Sequence, residues 1–165
     1  MRFKLMSMLA AVALLGACAS EPQNQAATGG AGAGSAAAAP ATAAGPRPGS
    51  QEDLVRNVGD RIFYDFDKSE LRPEARRTIE RWAAWLKQYP QNTVTIEGHA
   101  DERGTREYNI ALGERRATAA RNFLVSQGID ARRVATISYG KERPAVLGSN
   151  EAAWSQNRRA VMQVN

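Results

Sequence analysis

Two charged side chains stand where the local pattern asks for neutral ones: Asp101 and Arg116, in the stretch EGHADERGTREYNIALGERRATAARNFL from Glu97 to Leu124. Projected as a helix at about 100° per residue, Leu112, Ala117, Ala120, Phe123 and Leu124 make an apolar stripe, with Glu114, Arg115, Thr118 and Arg121 opposite. Arg116 falls inside that stripe, and Asn109 lies beside it two turns earlier. A guanidinium facing the core side needs a carboxylate or several acceptors, otherwise it is an uncompensated buried charge. Asp101 follows a strand, in a loop where Gly98 and Gly104 permit a sharp turn. Loops past the carboxyl ends of strands are where α/β domains usually bind ligands. Spacing leaves two readings open. Asp101 and Arg116 pair with each other, or they hold a zwitterion, with the arginine fork on a carboxylate and the aspartate on an ammonium. Gly113, costly within a helix by about 1 kcal/mol, implies that something lies close to the helix backbone there.

The elements that must position these groups follow from periodicity. Arg61–Phe66 alternates and predicts a strand, and Pro73 opens a helix that carries Ala75, Ile79, Trp82 and Leu86 and ends before Pro90. Thr93–Ala100 reads as a second strand. A long helix is expected from Arg106 to Gln127, with Gly128 just past its end. Val134–Tyr139 is a third strand, Asn150 caps a short helix, and Arg159–Val164 closes the chain as a fourth strand. The order β-α-β-α-β-α-β implies an α/β two-layer sandwich over residues 54–165. Trp82 fits the core spacing, whereas Trp85 and Trp154 are expected to be partly exposed.

The first 17 residues have the charge, apolar run and small-residue ending of a signal peptide, too short for a mature bilayer span. Leu15-Gly16-Ala17-Cys18 resembles the lipobox of bacterial lipoproteins, in which the cysteine becomes the lipidated first residue. Cys18, the single cysteine, is thus read as a membrane tether, and Ala19 in place of Asp assigns it to the outer membrane, with the domain in the periplasm. Residues 18–53 read as a disordered linker: from Glu21 to Ser50, 21 of 30 residues are Ala, Gly or Pro. As a flexible coil, that stretch averages about 30–35 Å end to end.

Composition excludes several classes. The formal charge is +5, yet without Arg2 and Lys4 it is 20 basic against 17 acidic residues, interspersed, so nucleic acid is not an expected partner. One cysteine and one histidine exclude an intramolecular disulfide and a Cys/His zinc site, and no cofactor is expected. His99 near Ser138 suggests a hydrolase dyad, but no nucleophile elbow accompanies it, and an enzyme is not expected.

The runs GHADERGTREYNIALGERRATAARNFL and SYGKERPAVLGSNEAAWSQNRRAV resemble the OmpA-like peptidoglycan-binding family over nearly all of residues 61–164. The pattern Asn109-x-x-Leu112-Gly113-x-x-Arg116-Ala117 carries the match, with glycine where many members have serine. The DERG and SYGKERPAVLG runs point to the lipoprotein branch of that family. The resemblance implies a four-stranded mixed sheet packed on helices and non-covalent binding of meso-diaminopimelate in peptidoglycan stem peptides. It assigns the ligand's charged groups to Asp101 and Arg116. It places Asn109, Arg103, Thr105 and Leu112 along the groove and Phe66 and Asp67 on its far wall. It further implies TolB and other Tol-Pal components as partners and a role in envelope integrity and division. Two alternatives remain: a wall-anchoring member outside Tol-Pal, and a periplasmic wall hydrolase.

Overall fold

The computed structural model describes residues 45–165. The stretch read as a signal peptide, Cys18, and the stretch read as a linker up to residue 44 lie outside the described residues. Four helices, Gln51–Asn57 (α1), Pro73–Gln88 (α2), Arg106–Ser126 (α3) and Glu151–Asn157 (α4), accompany four strands. These are Arg61–Phe63 (β1), Val94–His99 (β2), Val134–Gly140 (β3) and Arg159–Val164 (β4). The strands form one mixed sheet in the order β1-β4-β2-β3, with β2 and β3 parallel and the other pairings antiparallel. This is the expected α/β architecture with a four-stranded mixed sheet.

Three helices start on side-chain caps that satisfy orphan backbone donors: Ser50 accepts from Asp53 N, Thr105 from Tyr108 N and Asn150 from Ala153 N. The fourth, α2, opens on Pro73, where a missing N–H costs nothing. Its buried face, Ala75, Ile79, Trp82, Ala83 and Leu86, joins Ile62, Tyr64, Val94, Ile96, Ala117, Ala120, Leu124 and Met162 in one core. Gly128, with φ of 91°, ends α3 as expected.

Several expectations are revised. The folded part begins before Leu54, because α1 starts at Gln51 inside the stretch read as linker. Leu54 is fully buried, and the Asp53 carboxylate accepts from Trp85 Nε1 (2.9 Å), Gly49 N (3.0 Å) and Asn57 Nδ2 (2.6 Å). Trp85 is therefore buried, not partly exposed. Strand β1 stops at Phe63, three residues early: Tyr64 N still reaches Arg158 O, but Asp65–Lys68 then turns away. Arg121 is not on a solvated face, since its guanidinium donates to Val134 O and Ala131 O. Phe123 is only partly buried.

The reading of the two glycines also changes. Gly98 is a strand residue, not part of a turn, and Gly113 faces the sheet: a Cβ on Gly98 would sit 1.9 Å from Gly113 O, and one on Gly113 would sit 2.3 Å from Ser138 Oγ. The close neighbours that Gly113 demands are thus Ser138 on β3 and the Gly98 backbone on β2, so the missing side chain lets α3 lie against the sheet. Replacing Gly98 by Ala is expected to destabilise the domain by at least about 3 kcal/mol, since backbone has to move to relieve the overlap. Gly45→Ala, with open space around it, leaves the urea midpoint unchanged. A wild-type midpoint for Gly98→Ala refutes this account of the contact.

Candidate functional site

Arg116 is completely buried, and its guanidinium is held by backbone alone. Nε donates to Lys68 O (2.8 Å), one terminal nitrogen to His99 O (2.8 Å) and the other to Asp65 O (3.1 Å). Tyr64 lies against it, the guanidinium carbon 5.2 Å from the ring centre, and the tyrosine hydroxyl donates to Arg116 O (2.8 Å). Among the described residues no carboxylate is within ion-pair distance of Arg116. Three of its five N–H groups are used, which leaves one on each terminal nitrogen. Burial lowers its pKa to about 10, so it stays charged at neutral pH.

Asp101 does not pair with Arg116, which removes the private ion-pair reading. Its Oδ1 accepts from Arg103 N (3.1 Å) and Arg103 Nε (3.2 Å), and its Oδ2 from Arg103 (2.6 Å) and Arg158 (3.3 Å) terminal nitrogens. Burial opposes the charged carboxylate here, but the Arg103 bonds outweigh it and hold the pKa below the usual range. Arg158, buried between Asp101, Glu151 and Tyr64 O, belongs to this arrangement and was not singled out by sequence. Only its place directly before β4, at a strand entry, hinted at a buried role.

Both groups face a cleft of about 180 Å³ that also collects Phe66, Asp67, Arg103, Gly104, Tyr108, Asn109 and Leu112. Seven of the eight residues expected on sequence grounds therefore meet around one space. Thr105 does not: its hydroxyl caps α3 and sits at the cleft's edge in sequence only. Tyr108 was missed, and it lines the cleft with its hydroxyl donating to Asp67, a residue in the left-handed region at φ of 57°. Asn109 donates to Arg103 O (2.9 Å), and Lys141 donates to Gly104 O (2.7 Å) and Glu102 O (3.2 Å), so the 101–104 loop is fastened on both sides. The Arg103 guanidinium lies between two rings, 3.9 Å from the centre of Phe66 and 4.0 Å from that of Trp154. Trp154, partly buried, donates to Glu102 (3.0 Å).

The family profile of OmpA matches residues 63–158. This chain belongs to the OmpA family. The peptidoglycan-associated lipoprotein of Agrobacterium fabrum is 58% identical over 119 residues, 72% of this chain and 67% of that protein. The one from Mesorhizobium japonicum is 51% identical over 157 residues, 95% of this chain and 88% of that protein. The crystal structure of the peptidoglycan-associated lipoprotein from Burkholderia pseudomallei is 36% identical with a TM-score of 0.64. It covers 68% of this chain and 100% of that one. The lipoprotein branch that the DERG and SYGKERPAVLG runs pointed to is thus the one these relatives occupy.

In this OmpA-family domain the Ser138–His99 pair is not arranged for catalysis. The Ser138 hydroxyl donates to Ile110 O (2.7 Å), and neither imidazole nitrogen makes a hydrogen bond. Among the described residues no group of three or more His, Cys, Asp or Glu gathers to hold a metal, and no helix is long and apolar enough to cross a membrane.

His99 is 1% exposed. Burial first, then the Arg159 and Arg143 charges, lower its pKa to about 4. Glu97, 3.5 Å from Nε2, does not offset them. The unfolded histidine takes a proton below about 6.5 and the folded one does not until about 4. Stability is therefore full above pH 6.5 and is lost as pH falls toward 4. From pH 8 to pH 5 the domain is expected to lose about 2 kcal/mol through this group. His99→Gln should flatten that part of the urea-midpoint profile. An unchanged slope in the variant assigns the effect elsewhere.

Proposed function

We propose that this protein binds peptidoglycan non-covalently through meso-diaminopimelate of the stem peptides, and that lipidation at Cys18 makes it a tether between the outer membrane and the cell wall. The observation that carries the reading is the buried Arg116 guanidinium, charged and without a carboxylate partner among the described residues, lining the same small cleft as the Asp101 carboxylate. A ligand carboxylate bound by the two spare Arg116 N–H groups meets a charge already desolvated, so little is lost on binding. Leu112 and the Phe66 ring provide apolar walls for a methylene chain. The relatives, peptidoglycan-associated lipoproteins, fit this reading. Membership of the Tol-Pal system, with TolB as a partner and a part in envelope constriction, is supported by resemblance alone.

Specificity follows from the same charges. Lysine lacks the second carboxylate of diaminopimelate, and a bound lysine-type stem peptide leaves Arg116 unmet, at a cost of about 1–3 kcal/mol. In a pulldown with purified sacculi, the full chain is expected to bind diaminopimelate-type walls and to recover at least tenfold less on lysine-type walls. Asp101→Asn and Arg116→Lys, each checked for folding by thermal melt, should lose most of the binding. Full retention in both folded variants, or equal recovery on both wall types, refutes the assigned site.

A further inference from the structure

The acceptor capacity of Asp101 is fully used. An ionised carboxylate offers about four lone-pair directions. All four are taken, two on each oxygen, by the Arg103 backbone, two Arg103 guanidinium nitrogens and Arg158. Two of the donors are fixed: the Arg103 amide is part of the loop, and Arg158 is buried at 7% side-chain exposure. The Arg103 side chain, at 32% exposure, stands between solvent and an Asp101 that is 5% exposed. An ammonium therefore reaches Asp101 only by taking the two positions the Arg103 guanidinium holds.

We propose that Arg103 is an internal stand-in for the ligand's ammonium, and that binding is an exchange in which the ligand displaces the Arg103 guanidinium from Asp101. This rests on the diaminopimelate reading above and adds a second source of specificity to it. The exchange preserves charge at Asp101, since one cation replaces another. The released guanidinium has to find an anion or return to water. The geometry favours its staying nearby: a planar group between the Phe66 and Trp154 rings turns in its own plane without giving up either face. It then shares with Arg116 the carboxylate that the ligand brings beside its ammonium, since a carboxylate's roughly four acceptor directions accommodate both guanidinium groups. A ligand with an ammonium and no adjacent carboxylate displaces Arg103 and gives nothing in return. Arg103 thus acts as a specificity-determining residue that rejects bare amines, apart from any attraction exerted by Arg116.

The opposite expectation holds if Arg103 is only a contact for the ligand or a structural brace, because its removal then weakens every ligand. The test is calorimetric titration of the full chain and of Arg103→Met with two synthetic stem tripeptides, one ending in meso-diaminopimelate and one in lysine. Exchange predicts that Arg103→Met binds the lysine peptide at least tenfold more tightly than the wild type does, which narrows the discrimination between the peptides. Lysine-peptide affinity that is unchanged or weaker in a folded Arg103→Met overturns the exchange but leaves the diaminopimelate reading intact when the wild type binds that peptide. No saturable binding of the diaminopimelate peptide to the wild type overturns both. A second readout needs no variant: the Arg103 Nε–H resonance of the wild type is expected to shift and to exchange faster with water on saturation with the diaminopimelate peptide. A resonance that stays in place at saturation overturns the exchange.

Discussion

A guanidinium removed from water is the constraint on which the cleft depends. Arg116 sits on the core side of α3, where an unpaired charge costs several kcal/mol unless acceptors surround it. The acceptors are three backbone carbonyls from two distant segments, Asp65 and Lys68 after β1 and His99 at the end of β2. Meeting the charge therefore fixes both walls of the cleft at once. It also explains why β1 is short. The carbonyls of Asp65 and Lys68 are turned toward Arg116, so the chain there cannot continue a ladder along β4.

That arrangement requires α3 to approach the sheet closely, and two glycines allow it. The contact between Gly98 and Gly113 brings helix backbone against strand backbone and sets the depth at which Arg116, three residues further along α3, enters the interior. The loop after β2 is then confined by Asn109 from α3, Lys141 beyond β3, and Arg158 just before β4. Three arginines and two aspartates face or back the cleft, an excess of positive charge that suits a ligand carrying more carboxylates than ammonium groups.

Much of this was legible in order along the chain. Period-3.6 and period-2 patterns located α2, α3, β2, β3 and β4 within a residue or two, because each buries one face of a regular element. The position of Arg116 within an apolar stripe marked it as a group requiring partners, and the fold bears out that it is buried. The helix α1 was missed because Leu54 is its single fully buried apolar residue, so no period shows. The Ser50-x-x-Asp53 capping pattern was the available signal. Trp85 was misjudged for a related reason: its buried setting is made by Asp53, a partner 32 residues away.

The residues themselves determined the mixed α/β class, the helix carrying a misplaced arginine, the loop carrying Asp101, and family membership through motifs that span most of the domain. Only the tertiary structure decided who pairs with whom. Asp101 binds Arg103 and Arg158 and leaves Arg116 to three carbonyls, while Gly113 makes room for a strand. Periodicity reports which face of an element is buried, because burial is averaged over a whole face. Hydrogen-bond partners are chosen by geometry between segments tens of residues apart, and no local pattern carries that information.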